Sequence, residues 1–542
     1  MMKWFAPFVL ILSCAPTSRS AGGDRCVFLI STDGLRPQEV FTGAELALIG
    51  KDEALKREFW RDTPEARREA LMPFFWGTIA RQGQVYGDRA KGSIAQVTNG
   101  RNFSYPGYNE FLCGFPDSRI DSNNKVPNAN VSVLEWLGRR PGFEGRIAAF
   151  GTWDVLPFIL NRDRSGLPQQ AANEPIKDAP LTERQQAIND LLRDTPETFP
   201  GSPFDSFSYH AAVEHLKRHK PRVLYVLFGE TDEWAHAGNY AQYLHAARRV
   251  DRFLKQLWEL AQSMPEYRGR TSLVVVTDHG RGEGPQWTSH NASTAGAQDL
   301  WMAAMGPAVK PLGSRENVVA RQSQIAATVA ALVGEDYNAA QPKATPPLPF
   351  DGSTPKRTEA PAPKVVVERE WGADALKSLP LTVDKDEPRP TSTFSISAKV
   401  VIDAREEWGG IVCQIQDNGP AESGWILGFD KERFYFGLAS KGAADDDGCL
   451  TYLRGGKYAT SKSYHVAATY DGETMILYVD GGEAARSMSQ WGDLFWGQHA
   501  KFVIGAYADA DETHPMKGRV DGVRFSTKVW SAADVKTMSE AR

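Results

Sequence analysis

The sequence feature that most constrains the fold is the apolar run at residues 273–277, which ends directly in Asp278, His279 and Gly280. The run is apolar on both faces and rich in β-branched residues, which is typical of a strand in the middle of a parallel sheet. In open α/β sheets, ligands lie just beyond the carboxyl ends of the strands. Asp278 and His279 therefore lie where such a sheet places its ligand-binding residues.

Two other apolar runs end in the same way. Residues 27–31 lead into Asp33, and residues 223–229 are followed by Asp232. Apolar residues then recur at helical spacing over 243–262, which predicts a β-α-β crossover and a doubly wound α/β domain with a mostly parallel sheet. The other predicted elements of this domain are a strand at 146–153, helices near 45–61, 72–81 and 324–333, and an irregular surface segment at 161–205.

Histidines accompany the strand-end aspartates. His279 adjoins Asp278, and His236 follows Asp232 by four residues. If residues 232–236 are helical, the side chains of Asp232 and His236 lie on the same face of the helix. His290 lies eleven residues after His279, in a loop at the same edge. These donors are too many for one tetrahedral ion; they predict two divalent ions about 3.5–4 Å apart, with zinc favoured and manganese or iron also suited. The predicted ligands are Asp33, Asp232, His236, Asp278, His279 and His290.

The order and spacing of these residues resemble the metal-ligand set of the alkaline phosphatase superfamily, and most of all its type I phosphodiesterase/nucleotide pyrophosphatase branch. That branch carries a Thr or Ser nucleophile in a Ser/Thr-aromatic-Pro turn, which Ser104, Tyr105 and Pro106 match. The resemblance covers about residues 24–335. It implies that Ser104 is the nucleophile. It also implies two ligand groups, Asp232 with His236 and His290, and Asp33 with Asp278 and His279.

The chemistry of Ser104 agrees with this resemblance. A serine hydroxyl is a weak nucleophile at neutral pH unless a base or a metal lowers its pKa. No His-Asp pair adjoins Ser104 in the sequence, so we expect activation by a metal. Residues 102–114 predict a turn feeding a short helix that stops at Gly114. Ser104 would then present backbone N–H groups to a phosphoryl oxygen. A plain helix-capping serine is the alternative interpretation.

Two departures from the superfamily patterns matter. Its sulfatases carry Cys/Ser-x-Pro-x-Arg, whose Arg directs oxidation to formylglycine, whereas this chain has Tyr108 at the Arg position. We therefore expect an unmodified serine. Its nucleotide pyrophosphatases place an Asn on the phosphoryl oxygen some twenty residues after the nucleophile. Asn123 and Asn124 are in range and Asn109 is nearer, and no flanking motif selects among them.

The pattern changes after the first domain, which we expect at residues 24–340. Residues 341–363 are rich in Pro, Thr, Ala and Lys without apolar periodicity, and with a lead-in they predict a linker over 341–389. Short alternating strands with Gly- and Asp-rich turns then predict an all-β jelly-roll sandwich at 390–542. The segment 464–472 resembles the laminin G-like, concanavalin A-like jelly roll. The predicted strands are 394–402, 410–415, 425–429, 433–438, 464–470, 475–479, 502–507 and 519–525.

The sequence leaves the ligand of the second domain open. Asp445, Asp446 and Asp447 could contribute to a calcium site, although three acids in a loop are usually only solvated. Recognition of a glycan or a surface partner follows from fold analogy alone. Cys413 and Cys449 could form a disulfide between that loop and a strand, which an oxidising compartment permits.

The first residues of the chain predict export. Residues 1–20 carry one Lys, an apolar core and small polar residues, as in a secretory signal peptide that is too short to span a bilayer. We expect a secreted or periplasmic protein, with lipid attachment at Cys14 as the alternative. The net charge of −5 gives no reason to expect nucleic-acid binding, and no later segment predicts a transmembrane helix.

These features together predict a secreted two-metal hydrolase of phosphate esters, with diesters favoured, that carries a non-catalytic binding module. Ser104 would attack in line, and water would then hydrolyse the phosphoseryl enzyme. A sulfatase or phosphonate hydrolase on the same scaffold is the alternative enzyme. An adhesion or glycan-binding protein with an inactive first domain is the alternative of another class, and the complete ligand set argues against it.

Overall fold

The computed structural model describes residues 25–292, 294–352, 366–383, 387–417, 422–441, 450–497 and 500–541. The predicted signal peptide, Cys14, Cys449 and the acidic stretch 445–447 lie outside the described residues. Within the described ranges, no helix is both long and apolar enough to cross a membrane.

The first domain is built around one mixed sheet. Its described strands are β1 (Cys26–Thr32), β2 (Gly83–Tyr86), β3 (Ile94–Gln96), β4 (Ile147–Gly151), β5 (Gln169–Ala171), β6 (Val223–Phe228), β7 (Thr271–Thr277), β8 (Met302–Met305), β9 (Gly313–Ser314) and β10 (Val319–Arg321). The sheet has the order β5-β4-β6-β1-β7-β8-β2-β9, while β3 and β10 pair separately. β1 runs parallel to both β6 and β7, and β8 is antiparallel to β7. The predicted mostly parallel sheet is confirmed.

Helices cover both faces of this sheet. They are α1 (Pro37–Thr42), α2 (Leu46–Ile49), α3 (Glu53–Phe59), α4 (Pro64–Leu71), the π-helix Phe75–Ile79, α5 (Ala80–Gln82), α6 (Ser104–Cys113), α7 (Val133–Gly138), α8 (Leu156–Ile159), α9 (Arg162–Ser165), α10 (Glu183–Asp194), α11 (Asp205–His219), α12 (Glu230–His236), α13 (Tyr240–Ser263), α14 (Gln324–Val333) and α15 (Tyr337–Ala340). Alternate residues of β1 face opposite cores: Phe28 and Ile30 pack in one core, and Val27 and Leu29 pack in the other. A strand covered on both sides needs apolar residues at every position, which explains why the sequence signal was continuous.

One expectation for this domain was wrong. Residues 161–205, predicted to be an irregular surface segment, contain the edge strand β5 and the twelve-residue helix α10. The helix begins with a capping box between Thr182 and Gln185, a signal that was present in the sequence. The strand has only three residues, so it depends on pairing with β4 rather than on its own pattern.

The second domain is built on two packed six-stranded antiparallel sheets, with a separate two-stranded pair, and this confirms the predicted sandwich. Its elements are β11 (Glu368–Gly372), β12 (Leu381–Val383), β13 (Phe394–Ile402), β14 (Gly409–Gln416), β15 (Ser423–Phe429), β16 (Arg433–Leu438), β17 (Thr451–Lys457), β18 (Ser463–Tyr470), β19 (Met475–Val479), β20 (Gly482–Ser487), β21 (Phe502–Ile504), β22 (Ala506–Ala508), β23 (Thr513–Pro515), β24 (Gly518–Ser526) and α16 (Ala532–Glu540). The sheet orders are β11-β24-β13-β18-β19-β20 and β12-β21-β14-β15-β16-β17, and β22 pairs separately with β23. β11 and β12 come from the segment expected to be linker and lead-in, so the sandwich takes up chain from before residue 390.

The predicted disulfide finds no support among the described residues. Cys413 is a buried free thiol whose Sγ lies 3.4 Å from the carbonyl oxygen of Ala506. Cys113 in the first domain is also a buried free thiol.

The two domains touch at the separate two-stranded pair of β3 and β10 in the first domain. The side-chain Oε1 of Gln96 accepts a hydrogen bond from the backbone N–H of Met488 at 3.0 Å. The guanidinium of Arg321 lies 3.8 Å from the carboxylate of Glu473 and 5.9 Å from the ring centroid of Trp491. The second domain is therefore held against the first by specific polar contacts.

Candidate functional site

The structure brings all seven predicted site residues together at the carboxyl edge of the three central strands. Asp33 directly follows β1, and Asp278 and His279 directly follow β7. Asp232 and His236 lie on α12, which begins after β6. The start of α12 is fixed by Asp205, whose Oδ1 accepts a hydrogen bond from the N–H of Gly229 at 2.7 Å. Strand ends and one short helix thus set the positions of the carboxylates.

Asp33, Asp278 and His279 form a buried cluster. Nε2 of His279 lies 3.2 Å from Oδ1 of Asp33 and 3.5 Å from Oδ2 of Asp278. Oδ1 of Asp278 accepts the backbone N–H groups of Gly34 and His279 at 3.0 and 2.8 Å, whereas its Oδ2 is buried without a hydrogen-bond partner. Gly34 has φ +57°, and a Cβ there would lie 2.7 Å from a carboxylate oxygen of Asp232. The turn after β1 therefore requires glycine.

Asp232, His236 and His290 form a second, more open cluster. Nε2 of His236 lies 3.2 Å from Oδ2 of Asp232 and 3.0 Å from Nε2 of His290. Nε2 of His290 lies 3.9 Å from Oδ1 of Asp232. The side chain of His236 is 51% exposed, so the site opens to solvent on this side. His279 stands between the clusters, because its Nε2 is also 3.6 Å from Oδ1 of Asp232.

Ser104 lies beside the buried cluster. It is the first residue of α6, and its Oγ is 3.5 Å from Oδ1 of Asp33 and 3.4 Å from Nε2 of His279. The helix capping position is occupied by Phe103 without a side-chain cap. α6 packs so closely against the end of β7 that a Cβ on Gly107 would lie 2.4 Å from the carbonyl oxygen of Asp278.

The helix start offers fewer backbone donors than we expected. The N–H of Tyr105 is taken by Oδ1 of Asn123 at 3.0 Å, and Pro106 has no N–H. This contact also separates the candidate asparagines. The side chain of Asn123 contacts the first turn of α6 from a later loop. Asn109, in contrast, is buried, and its amide donates to the carbonyl of Phe115 at 3.1 Å. The side chain of Asn109 therefore has a structural role and is not placed to contact a substrate.

Three further residues have roles in the site that were not predicted from the sequence. The hydroxyl of Tyr108 donates to Oδ2 of Asp33 at 2.9 Å, so the residue at the sulfatase Arg position holds a carboxylate. Arg281, fully buried, pairs with Oδ1 of Asp232 and donates to the carbonyl of Thr288 at 2.6 Å. The only sequence signal for Arg281 is its place directly after Asp-His-Gly.

The third of these residues is Asn102, in the loop before Ser104. Its carbonyl oxygen accepts a hydrogen bond from Nδ1 of His290 at 3.1 Å, and its φ is +56°. The imidazole of His290 is thereby oriented with Nε2 toward His236. A single asparagine in a loop carries no sequence pattern that would reveal this role.

Burial and neighbouring charges shift the titration of the cluster. Burial, with the nearby Asp33, raises the pKa of Asp278 well above its usual range. Burial alone would lower the pKa of His279, but the charges of Asp278 and Asp33 raise that pKa to about 9. Burial also opposes ionisation of Asp33, but hydrogen bonding and charge from His279 hold its pKa below the ordinary value. Burial lowers the pKa of His236, and burial with the charge of His279 lowers the pKa of His290.

The residues present fit divalent cations. Ligand atoms of Asp33, Asp278 and His279 all lie within 4.8 Å of one another, as do those of Asp232, His279 and His290. The donors are carboxylate oxygens and imidazole nitrogens, the set that zinc and manganese accept. The buried Oδ2 of Asp278 has no hydrogen-bond partner, as expected of an atom whose partner is a cation.

Two families match parts of the chain. The family described as type I phosphodiesterase/nucleotide pyrophosphatase matches residues 48–319, which is half of the chain. The family described as concanavalin A-like lectin/glucanases superfamily matches residues 379–536. No curated protein sequence matches the chain.

Several solved structures align with the chain at low sequence identity and low TM-score. A 2-O GAG sulfatase is 13% identical over 84% of this chain and 85% of its own, with a TM-score of 0.42. The lipoteichoic acid synthase LtaP from Listeria monocytogenes is 14% identical over 58% of this chain and 73% of its own, with a TM-score of 0.39. A Trypanosoma rangeli sialidase is 19% identical over 27% of this chain, which spans only 22% of that protein, with a TM-score of 0.21. Because these TM-scores are low, the family rests on the sequence match over residues 48–319.

Proposed function

Because the chain belongs to the type I phosphodiesterase/nucleotide pyrophosphatase family of the alkaline phosphatase superfamily, we propose that it hydrolyses phosphate esters, diesters above monoesters, with Ser104 as the nucleophile. The observation that supports this most is the position of the Ser104 Oγ, 3.5 Å from Oδ1 of Asp33 and 3.4 Å from Nε2 of His279. Ser104 is the first residue of α6 and not its capping residue, which argues against the alternative of a plain helix-capping serine.

Two divalent cations, zinc or manganese, would be held by this site. When bound, such ions neutralise charge on the phosphoryl oxygens and make a nearby hydroxyl a better nucleophile. The six side chains that would hold them are Asp33, Asp278 and His279 for one ion, and Asp232, His236 and His290 for the other.

The other steps use groups of the chain itself. Oγ of Ser104 forms a bond to phosphorus as the bond from phosphorus to the leaving alcohol breaks, and the alcohol departs with the proton that Ser104 loses. The amide of Asn123, held by its contact with the N–H of Tyr105, donates to a phosphoryl oxygen. Water then breaks the phosphoserine bond, which restores Ser104 and releases the monoester. Tyr108 keeps the carboxylate of Asp33 in place throughout.

A substrate panel tests this proposal. We expect the protein, supplied with zinc or manganese, to hydrolyse bis-nitrophenyl phosphate faster than nitrophenyl phosphate, and nitrophenyl sulfate least. Mass spectrometry of the peptide that contains Ser104 should show an unmodified serine. Formylglycine at this position together with sulfate-ester hydrolysis would instead make the protein a sulfatase.

We further propose that the protein is exported, a proposal that rests on the sequence of residues 1–20 alone. Expression of the full chain followed by N-terminal sequencing tests it. Removal of about the first 20 residues and recovery outside the cytoplasm are expected. An intact N-terminus in the cytoplasmic fraction would refute export.

A further inference from the structure

A cleft of about 730 Å³ lies between the two domains, next to the candidate site. One wall belongs to the first domain and includes Asn102 and the loop after His290, at Ala292 and Thr294. The other wall belongs to the second domain and includes Trp408 and residues of β17 and β20. Clefts of this size at domain interfaces are common places for small-molecule binding.

Asn102 joins this cleft to the candidate site. It lies two residues before Ser104, and its carbonyl oxygen orients His290. Its side-chain amide donates to the carbonyl of Asn291 at 3.3 Å, whereas its Oδ1 has no hydrogen-bond partner. Asn102 lines the cleft and is only 5% exposed, and its Oδ1 is buried without a hydrogen-bond partner. A buried polar atom without a partner needs an explanation, and a donor on a ligand in the adjoining cleft is the one that we pursue.

The charges of the cleft indicate a neutral occupant. Its wall carries as many acidic as basic side chains, and several of them pair with each other. The pairs are Arg89–Asp299 at 2.5 Å, Lys431–Glu407 at 3.4 Å and Arg454–Asp430 at 3.3 Å. A polyanion would require an excess of unpaired positive charge, which this wall does not offer. The paired groups still present many donors and acceptors to a hydroxylated ligand.

Trp408 provides an aromatic surface in this polar cleft. It is 45% exposed, which is unusual for so large an apolar side chain. Its ring is held by Tyr435 and Tyr452, with centroids at 5.8 and 5.3 Å, and the guanidinium of Arg454 lies 5.4 Å from its centroid. A fixed aromatic ring surrounded by polar groups suits a sugar, because one face of a sugar ring is apolar C–H and its edge carries hydroxyls.

We propose that the cleft binds the sugar portion of a glycosyl-containing phosphodiester, with Trp408 as the stacking surface and Oδ1 of Asn102 as an acceptor. The second domain then forms part of the active site rather than a separate module. This inference rests on the proposed function, because it names the substrate class of the same site.

Two matched diesters test the inference on the full chain. Both release nitrophenolate, and they differ only in the second alcohol, which is methanol in one and the 6-hydroxyl of glucose in the other. We expect kcat/KM for the glucosyl ester to exceed that for the methyl ester by about tenfold or more, the value of one good aromatic contact. Equal values for the two esters in the parent protein would overturn the inference.

Substitutions at Trp408 sharpen this test. Trp408→Ala should reduce the ratio of kcat/KM for the glucosyl ester to that for the methyl ester about tenfold, whereas Trp408→Tyr should retain most of the preference. Lys377→Ala, an exposed change in the same domain outside the cleft, is the control and should match the parent. If Trp408→Ala lowers both esters equally, or neither, the inference fails.

A binding measurement separates failure of this inference from failure of the proposed function. If the parent hydrolyses neither ester, the proposed function fails, and calorimetric titration with maltose and cellobiose still tests the cleft. Binding by the parent with a Kd of about 1 mM or tighter, lost in Trp408→Ala, would support sugar recognition. Absence of binding to the parent would refute it.

Discussion

The two ligand clusters of the site differ in how the protein builds them. Asp33, Asp278 and His279 are buried at strand ends, and backbone N–H groups hold the carboxylate of Asp278. The open cluster instead combines α12 with the loop that carries His290, and His236 is half exposed. A buried cluster is expected to govern stability as well as chemistry, whereas an exposed ligand can be lost with little effect on the fold. Substitutions in the two clusters should therefore differ in their effects on turnover, metal content and stability.

Ser104→Ala should have the largest effect on turnover and almost none on metal content. The variant removes the attacking oxygen but keeps all six donor side chains, so we expect a loss of about 10³-fold or more in kcat. Steady-state rates and metal analysis on the same preparation check this. Parental turnover in the alanine variant would remove Ser104 from the mechanism.

His279→Ala and His236→Ala compare the clusters directly. His279→Ala should reduce metal content at both clusters and destabilise the protein by about 3–5 kcal/mol, because it removes the imidazole that pairs with the buried carboxylates of Asp33 and Asp278. His236→Ala should lose metal and rate but change the free energy of unfolding by less than about 1 kcal/mol, because the residue is half exposed.

Metal analysis and urea denaturation measure both variants. His245→Ala, a histidine of α13 outside the site, is the matched control and should keep parental metal content and rate. Equal losses of stability in His279→Ala and His236→Ala would contradict the contrast between a buried and an open cluster.

Gly107→Ala tests the close approach of α6 to the buried cluster. The new Cβ would lie 2.4 Å from the carbonyl oxygen of Asp278, so α6 must shift and carry Ser104 with it. We expect a loss of about 1–3 kcal/mol in unfolding free energy and a lower kcat. Gly77→Ala is the control, because a Cβ there meets no atom within 4 Å. A parental rate in Gly107→Ala would show that the position of Ser104 tolerates this shift.

Glu110 should give the protein a pH dependence of stability. This residue of α6 is buried and accepts hydrogen bonds from Thr98 and Asn99, in the loop that leads to Asn102. Burial raises its pKa to about 7 despite these bonds. The folded protein therefore binds a proton at Glu110 more tightly than the unfolded chain does. Above pH 7 the ionised, buried carboxylate lowers the free energy of unfolding. This loss of stability is reversed as the pH falls from 7 toward 4.5.

The slope that Glu110 contributes is up to about 1.4 kcal/mol per pH unit between these values. Unfolding free energies of the parent and of Glu110→Gln at several pH values measure it. Only the difference in slope is diagnostic, because the amide also alters the hydrogen bonds to Thr98 and Asn99. The same slope in both proteins would show that Glu110 does not titrate in this range.

Much of the fold was predictable from the chain. Strands buried on both faces require continuous apolar runs, so β1, β6 and β7 were predictable, and the residues after them were the ligand candidates. The short strands at the edges of the sheets were not predictable. β5 and β12 have three residues each and gain their order from pairing with β4 and β21, which local sequence does not encode.

By itself, the sequence determined the two fold classes and the chemical types of the candidate ligands, because periodicity and residue identity are local properties. Only the tertiary structure decided which side chains meet. It selected Asn123 over Asn109 at the start of α6, and it placed Arg281 against Asp232. It also brought Trp408 and Asn102 to the lining of one interdomain cleft. Such contacts join residues far apart in the chain, and their geometry depends on the packing of whole elements rather than on any short pattern.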